Sequence, residues 1–174
     1  MKILIITDSL DVGGAETHIE ALALSLCELG CDVVIASQGG QIADKLKTSK
    51  IAVLTLPSFT VTAHRKTNQA QNFSFLSYSV SKEVLKRIIR RERPDIVHAH
   101  TRKTAFLARS ICDRAKIPLI TTAHAMFTMS IVKSALSVWG DGTIAISEDI
   151  KEHIIKKSLF KPKKVSTIRN GIRY

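Results

Sequence analysis

The sequence predicts an α/β fold built on a mostly parallel sheet of about seven strands. Short apolar runs alternate along the chain with segments of helical periodicity, and the opening residues show the pattern most clearly. There the apolar run 1–7 breaks into a polar, glycine-bearing loop at 8–14, and a helical pattern begins at once. Strands that alternate with helices are joined by right-handed crossovers and therefore lie parallel. With 174 residues, one domain with a sizeable core is expected.

Apolar runs of strand length define the sheet, and they cover residues 1–7, 32–37, 51–56, 95–99, 117–122, 142–146 and 163–168. The helical patterns between them cover residues 15–30, 41–50, 76–93, 101–115, 126–139 and 150–157. In the helix predicted over 76–93, the stripe that should face the core consists of Leu76, Val80, Val84, Leu85, Ile88 and Ile89. The stretch 58–77 is the least regular part of the chain and is expected to be a long loop.

Gly13 and Gly14 stand where the first strand meets its helix. Without side chains at this point, the backbone N–H groups and the positive end of the helix dipole are open to a phosphate or carboxylate. A tight turn without any ligand is the alternative, because a lone Gly-Gly pair is a weak signal. The spacing excludes a G-x-G-x-x-G dinucleotide motif, and the chain contains no P-loop sequence.

Histidines follow two of the predicted strands. His98 and His100 stand at the end of the fourth strand, and His124 follows the fifth. Residues two apart in a strand share a face, so the first two imidazoles are expected at one rim. An H-x-H pair with His124 as a third ligand would suit zinc, but no carboxylate stands at a helpful spacing. If the strand order reverses between the first and fourth strands, residues 8–14, 98–102 and His124 converge on one crevice.

The net charge of +11 is distributed unevenly along the chain. Residues 1–60 sum to −3 and residues 61–174 sum to +14. A charge this one-sided indicates an anionic partner, which could be lipid head groups, an anionic glycan or nucleic acid. The alternative is a basic surface that only keeps the protein soluble.

The sequence also limits where the protein is expected to work. Asp8 and Asp11 interrupt the first apolar run too early for a signal peptide, and no stretch approaches the roughly 18 apolar residues of a membrane span. The three cysteines, Cys27, Cys31 and Cys112, form no C-x-x-C pair. They are expected to be reduced thiols of a cytoplasmic protein.

Six segments carry a pattern that is specific when they are taken together and in order. They are MKILIIT with GGAE at 13–16, LALSLCELGCDVVIAS at 22–37, RPDIVHAH at 93–100, IPLITTAH at 117–124, AISED at 145–149 and VSTIRNGI at 165–172. In this order they resemble the N-terminal domain of family 4 glycosyltransferases with the GT-B fold. The resemblance implies a Rossmann-like, three-layer sandwich over residues 1–168. It makes residues 169–174 the start of a linker to a C-terminal domain that this chain lacks.

The resemblance also implies a reaction. A family member of this kind transfers a sugar, with retention of configuration, from a nucleotide-diphosphate sugar to an acceptor hydroxyl on a glycan, a lipid-linked or a cell-envelope molecule. The N-terminal domain holds mainly the acceptor, and the missing C-terminal domain holds most of the donor. The chain is therefore expected to be inactive alone, to bind no cofactor tightly and to require no metal.

The resemblance assigns roles only where residues match. Gly13 and Gly14 would bring backbone amides to the donor diphosphate. His124 would be the catalytic histidine, which orients the attacking hydroxyl or steadies charge on the sugar. His98 is expected to be structural and bonded to the backbone. The acceptor pocket would be lined by Glu16, His100 and Arg102.

The basic second half is expected to contact an anionic membrane surface. The cations proposed for this contact are Arg65, Lys66, Lys86 and Arg90. They would hold a cytoplasmic protein peripherally on the inner face of the membrane, near a lipid-linked acceptor.

Two other functions compete with the transferase. The first is half of a GT-B sugar-nucleotide epimerase or phosphorylase, which would share the fold and use different residues. The second is a non-enzymatic basic module that binds nucleic acid or another partner. The chain shows no basic ribbon interleaved with aromatic residues and no recognised nucleic-acid motif, so no nucleic acid is expected among its partners.

Overall fold

The computed structural model describes residues 1–49, 51–58, 60–62, 71–126, 138–158 and 162–171. Strands in these ranges are β1 Lys2–Ile6, β2 Asp32–Ser37, β3 Ala52–Thr55, β4 Thr60–Thr62, β5 Gln71–Phe73, β6 Ile96–Ala99, β7 Leu119–Ala123, β8 Gly142–Ala145 and β9 Val165–Thr167. The helices are α1 Gly14–Glu28, α2 Gln41–Thr48, α3 Phe75–Glu92, α4 Arg102–Ala115 and α5 Glu148–Lys157.

Seven of the strands form one parallel sheet, in the order β3-β2-β1-β6-β7-β8-β9. All its neighbouring strands pair in parallel, so the α/β, Rossmann-like fold predicted from the sequence is confirmed. The strand order reverses at β1, which pairs with β2 on one side and with β6 on the other. Open α/β sheets bind ligands beyond the carboxyl ends of the strands at such a reversal. This edge is where the predicted crevice lies.

Helices cover both faces of the sheet, because successive strand residues point to opposite sides. On one face, Leu4 and Val97 pack into a buried cluster that includes Leu85 of α3 and Leu107 of α4. On the other face, strand residues such as Ile5 join a cluster with residues of α1 and α2, namely Ile19, Ala23, Ile42 and Leu46. The result is the expected sandwich of three layers, with α1 and α3 on opposite sides of the sheet.

The stretch predicted as a long loop contains a short antiparallel hairpin. In it β4 pairs with β5, and Thr60 stands opposite Phe73. The sequence analysis did not find these strands, because they are three residues long and mostly polar. The helix predicted over 126–139 falls almost entirely on 127–137, which lie outside the described residues.

One part of the predicted core stripe is wrong. Leu85, Ile88 and Ile89 are buried as expected, but the side chains of Leu76 and Val80 are 76% and 48% exposed.

Two contacts fix the rotation of α3 and explain this difference. The Tyr78 ring packs 5.6 Å from the Phe106 ring of α4, and the Ser81 hydroxyl donates to the Pro57 carbonyl at 2.8 Å. With these residues facing inward, the first two turns of α3 present Phe75, Leu76 and Val80 to solvent.

Candidate functional site

Four imidazoles meet at the carboxyl edge of the sheet, near the ends of β6 and β7. His18 comes from α1, His98 from β6, His100 follows β6 and His124 follows β7. The ring centroids of His98 and His100 lie 4.2 Å apart, and those of His100 and His124 lie 5.3 Å apart. His18 lies 5.9 Å from His100 and stands edge-on to His124 at 5.2 Å. We call these four residues the histidine group.

Hydrogen bonds tie two members of the group to β7 and to the residue that follows it. His100 Nδ1 and His124 Nε2 are 3.0 Å apart and share one hydrogen bond. His98 Nε2 lies 2.8 Å from the Thr122 hydroxyl. The sequence analysis expected His98 to bond to the backbone, whereas its partner here is a side chain.

The histidine group is uncharged at neutral pH. His98 and His100 are only 8% and 4% exposed, and a charged imidazole is disfavoured away from water. Burial, with smaller contributions from His18 and His124, lowers the pKa of His98 to about 4. Burial also lowers the pKa of His124 to about 4 and holds the pKa of His100 well below its ordinary value. Each ring then has one N–H donor and one bare nitrogen acceptor.

Two buried nitrogens of the group have no hydrogen-bond partner among the residues that the structure describes. They are Nε2 of His100 and Nδ1 of His124. Buried polar atoms without partners are rare in proteins, and at a site they often mark where a ligand or water binds.

A cavity of about 180 Å³ opens beside the group. Complete ligand sites usually enclose about 300–1,000 Å³, so this cavity is smaller than a complete site. The walls are formed by residues from the ends of β6 and β7, the start of α4 and the segment before β8, namely His100, Thr101, Arg102, Ala105, Thr121, Thr122, Ala123, His124, Ala125, Met126, Val138 and Trp139. Three predicted site residues, His100, Arg102 and His124, thus share one cavity.

Arg102 occupies an unusual position in that cavity. It is the first residue of α4, directly after the capping residue Thr101, and is half-buried. Loss of water around the guanidinium lowers its pKa. A cation at the positive end of a helix dipole is electrostatically unfavourable, so Arg102 does not stabilise α4 through its dipole.

The glycine turn at residues 8–14 lies at the same edge of the sheet but has a different character. Gly13 is the N-cap of α1, and its carbonyl accepts a hydrogen bond from the Thr17 hydroxyl at 2.8 Å. The carboxylate of Glu16 folds back against Gly13, so a side chain at position 13 would overlap it. Glu16 does not line the cavity in the described part of the chain. Any phosphate approaching the Gly13 and Gly14 amides would first meet this carboxylate.

Two contacts hold the glycine turn in place. The Asp8 carboxylate lies 3.7 Å from the Lys103 ammonium of α4, and burial raises the pKa of that carboxyl. Gly40 has a φ of +134° and lies so close to Leu10 and Asp11 that a side chain there would overlap their backbone. The turn is therefore anchored on both sides.

The cations proposed for a membrane contact are only partly described. Lys86 pairs with Glu83 at 3.4 Å, whereas Arg90 is exposed and takes part in no ion pair among the described residues. Arg65 and Lys66 lie outside the described residues. In the described ranges, no helix is long and apolar enough to cross a bilayer. In the same ranges, no group of three or more histidine, cysteine or acidic side chains is arranged to hold a metal ion.

His18 is the member of the group that the sequence analysis missed. It stands on the helix that begins at the glycine turn, one turn after Gly14. A polar aromatic residue so close to the start of α1 could have been placed at the crevice by the same reasoning that placed His100 and His124 there.

Comparison with known proteins gives a consistent assignment. The phosphatidylinositol N-acetylglucosaminyltransferase gpi3 subunit of Schizosaccharomyces pombe is 27% identical over 172 residues, which is 92% of this chain and 36% of that relative. A glycosyltransferase structure from Rickettsia africae superposes with a TM-score of 0.76 at 21% identity, over 98% of this chain and 43% of that one. HepE from Anabaena, in complex with UDP and glucose, superposes with a TM-score of 0.75 at 20% identity, over 99% of this chain and 45% of that one.

These proteins are longer than this chain, which spans between 36% and 45% of their length. The two structures share its fold. The model of Glycosyltransferase Family 4 matches residues 12–173, nearly the whole chain. The chain therefore belongs to Glycosyltransferase Family 4.

Proposed function

We propose that this chain is the acceptor-binding half of a retaining glycosyltransferase. In this proposal a sugar moves from a nucleotide-diphosphate sugar to a cell-envelope or lipid-linked acceptor. The observation that carries it is the cavity shared by His100, Arg102 and His124 at the carboxyl ends of β6 and β7, next to β1, where the strand order reverses. Ligands of open α/β sheets bind at this point.

The donor diphosphate would approach the glycine turn. The N–H groups at the start of α1 and the positive end of its dipole favour a phosphate, once the Glu16 carboxylate turns away from Gly13. The Anabaena HepE structure contains UDP and glucose, which supports a nucleotide sugar as the donor. In this proposal the charge of the diphosphate would be met by the positive end of the α1 dipole and by basic side chains, without a metal.

The acceptor would enter the cavity from the side of His124. In the transfer, the acceptor hydroxyl oxygen bonds to the anomeric carbon as the bond from that carbon to the diphosphate oxygen breaks. The hydroxyl proton goes to the leaving diphosphate. A neutral His124 can orient the hydroxyl through a hydrogen bond without competing for that proton, because its pKa is about 4. His100 and Arg102, which line the same cavity, would complete the acceptor side. Glu16 would contact the acceptor only from outside this cavity.

A lipid-linked acceptor agrees with the surface of α3. Phe75 and Leu76 are 77% and 76% exposed, and Arg90 lies on the exposed side of the same helix. The S. pombe relative is named as a subunit of a transferase that acts on phosphatidylinositol, which is a lipid. Apolar and basic side chains on one helix face suit the surface of an anionic bilayer. We therefore propose that α3 holds the protein peripherally on the cytoplasmic face of a membrane.

A transfer assay tests the proposed reaction. The longest polypeptide encoded by the reading frame is incubated with labelled UDP-sugars and vesicles that contain phosphatidylinositol. We expect label in the lipid fraction with the donor's anomeric configuration retained, and a loss of about 10²-fold in His124→Ala, because the acceptor hydroxyl is no longer positioned. The matched control is His153→Ala on α5, which should keep its activity. The 174 residues alone should transfer no sugar. Turnover by them would contradict the proposal that this chain is half of an enzyme.

The same assay separates the rivals. Conversion of the nucleotide sugar to its epimer in the absence of an acceptor would indicate an epimerase instead of a transferase. Sugar phosphate formed from inorganic phosphate and a glycan would indicate a phosphorylase.

Vesicle flotation of the 174-residue chain tests the membrane contact. Phosphatidylserine vesicles should bind it and phosphatidylcholine vesicles should not. The double substitution Phe75→Ser with Leu76→Ser should weaken partitioning about 10-fold or more, because each large apolar side chain contributes about 1.5–3 kcal/mol when it leaves water. Arg90→Gln should weaken it about 5-fold. The control, Leu29→Ser, alters a residue of similar exposure beyond α1, and equal losses in control and test would refute a contact through α3.

A further inference from the structure

The hydrogen bond between His100 and His124 restricts where their protons can lie. Two neutral imidazoles joined by one hydrogen bond can place their two N–H protons in two ways. In the first, His100 Nδ1–H donates to His124 Nε2, so His124 carries its own proton on Nδ1. In the second, His124 Nε2–H donates to His100 Nδ1, so Nδ1 of His124 is bare and His100 carries its proton on Nε2.

We propose that His100 and His124 form a two-ring proton relay, in which His100 is a positioning residue that sets whether Nδ1 of His124 donates or accepts a hydrogen bond. The proposal rests on the proposed function only where it takes His124 to face a substrate. The coupling of the two rings depends on their geometry alone.

The surroundings of the pair leave both arrangements open. Nε2 of His100 and Nδ1 of His124 are buried, and nothing in the described part of the chain bonds to either atom. His98 packs against the His100 ring at 4.2 Å, and His18 stands edge-on to the His124 ring at 5.2 Å. These neighbouring rings hold the pair in place, and no carboxylate hydrogen-bonds to the pair to select one arrangement in the described residues.

A ligand at His124 would therefore choose the arrangement. A hydroxyl that donates to Nδ1 requires this nitrogen to be bare, which is the second arrangement. A phosphate or sugar oxygen that accepts from Nδ1 requires the first. In going from the first to the second, Nδ1 of His124 releases a proton to water, the bridging proton moves to His124 Nε2, and Nε2 of His100 takes a proton from water. The pair holds two protons before and after.

The relay makes a quantitative prediction for the ligand-free chain. The fraction of His124 that is protonated on Nδ1 must equal the fraction of His100 that is protonated on Nδ1, because both describe the first arrangement. Ring ¹⁵N shifts measure each fraction, since protonated and bare imidazole nitrogens differ widely in shift. We expect equal fractions at pH 7 and a scalar coupling across the hydrogen bond. Unequal fractions, or two rings that both keep a proton on the facing nitrogen, would overturn the relay.

Substitutions separate the relay from a packing role. His100→Phe keeps a ring against His98 and removes the bridging nitrogen, so the fraction measured on His124 should change. His100→Asn places an amide near the position of Nδ1, so the bridging proton should stay visible in slow exchange. The matched control, His153→Phe on α5, should leave both fractions at their wild-type values.

The reciprocal substitution keeps the test decisive if a variant at position 100 fails to fold. His124→Phe should change the fraction measured on His100, because coupling between two sites acts in both directions. An unchanged His100 in that variant would refute the relay. None of these measurements requires a donor, an acceptor or turnover, so their failure is distinct from failure of the transfer reaction.

Discussion

The glycine turn and the histidine group lie at one edge of the sheet and differ in charge and burial. The turn carries a helix N-terminus, the carboxylate of Glu16 and an ion pair between Asp8 and Lys103. The histidine group is neutral, and its central members His98 and His100 are almost completely buried. At neutral pH the glycine turn carries charged groups, whereas the histidine group interacts through hydrogen bonds.

This difference matches the two parts of a nucleotide-sugar reaction. A diphosphate needs positive potential, whereas an acceptor hydroxyl needs a hydrogen-bond partner that does not hold its proton. A cation such as protonated histidine beside the hydroxyl could not accept a hydrogen bond. The comparison therefore predicts that the two regions respond differently to backbone strain, to pH and to loss of a carboxylate.

The largest effect is expected at Gly40, which anchors the glycine turn. An alanine there would take a φ of +134° and overlap the backbone of Leu10 and Asp11. We expect the free energy of unfolding to fall by about 3–5 kcal/mol, measured by urea denaturation. The matched control is Gly39→Ala, which has a φ of +98° with open space around it. It should lose only about 1–2 kcal/mol of strain, and equal losses at both positions would argue against the close approach.

The next effect is a pH dependence of stability that comes from the histidine group. Burial holds the folded-state pKa of His98 at about 4, below its unfolded value of 6.5, so the unfolded state binds the proton first as the pH falls. Stability is therefore full above pH 6.5 and is lost as the pH falls towards 4. For His98 alone we expect a loss of about 2 kcal/mol between pH 7 and pH 5.

This window lies above the range in which most carboxylates titrate, so urea denaturation at the two pH values isolates the histidines. His98→Gln removes the titrating group and should reduce the loss by the amount expected for His98. A wild-type stability that stays constant from pH 7 to pH 5 would show that the group is not held neutral.

The smallest effect is expected at Glu16, in the glycine turn. Glu16→Gln removes the negative charge that lies against Gly13 and costs α1 about 0.3–1 kcal/mol of favourable dipole interaction. The same change should strengthen UDP binding a few-fold, measured by calorimetry, because the diphosphate no longer meets a carboxylate. Weaker UDP binding in this variant would mean that Glu16 supports the donor rather than opposing it.

Much of the fold could be predicted from residue patterns. Alternation of apolar runs and helical periods located the strands of the parallel sheet, because buried parallel strands are continuous apolar segments. The hairpin of β4 and β5 could not be found in this way, since its strands are three residues long and mostly polar. The outward turn of Leu76 and Val80 could not be found either, because it depends on the contact of Tyr78 with α4.

The candidate site was predictable in position and less so in detail. Strand ends placed His100 and His124 at one edge, and the parallel pairing of β6 with β7 brought them together. The sequence could not show that they bond to each other, or that His18 joins them. These facts depend on ring orientation, which packing decides.

The most direct measurement compares UDP with uridine in a titration of the ¹⁵N-labelled chain. Both ligands carry the base and ribose, and only UDP carries the diphosphate. We expect UDP to shift the amide signals of Gly13 and Gly14 and the ring signals of His124, and uridine to leave the two glycine signals in place. Equal shifts from both ligands, or shifts confined to the opposite edge of the sheet, would contradict a donor held at the glycine turn beside the histidine group.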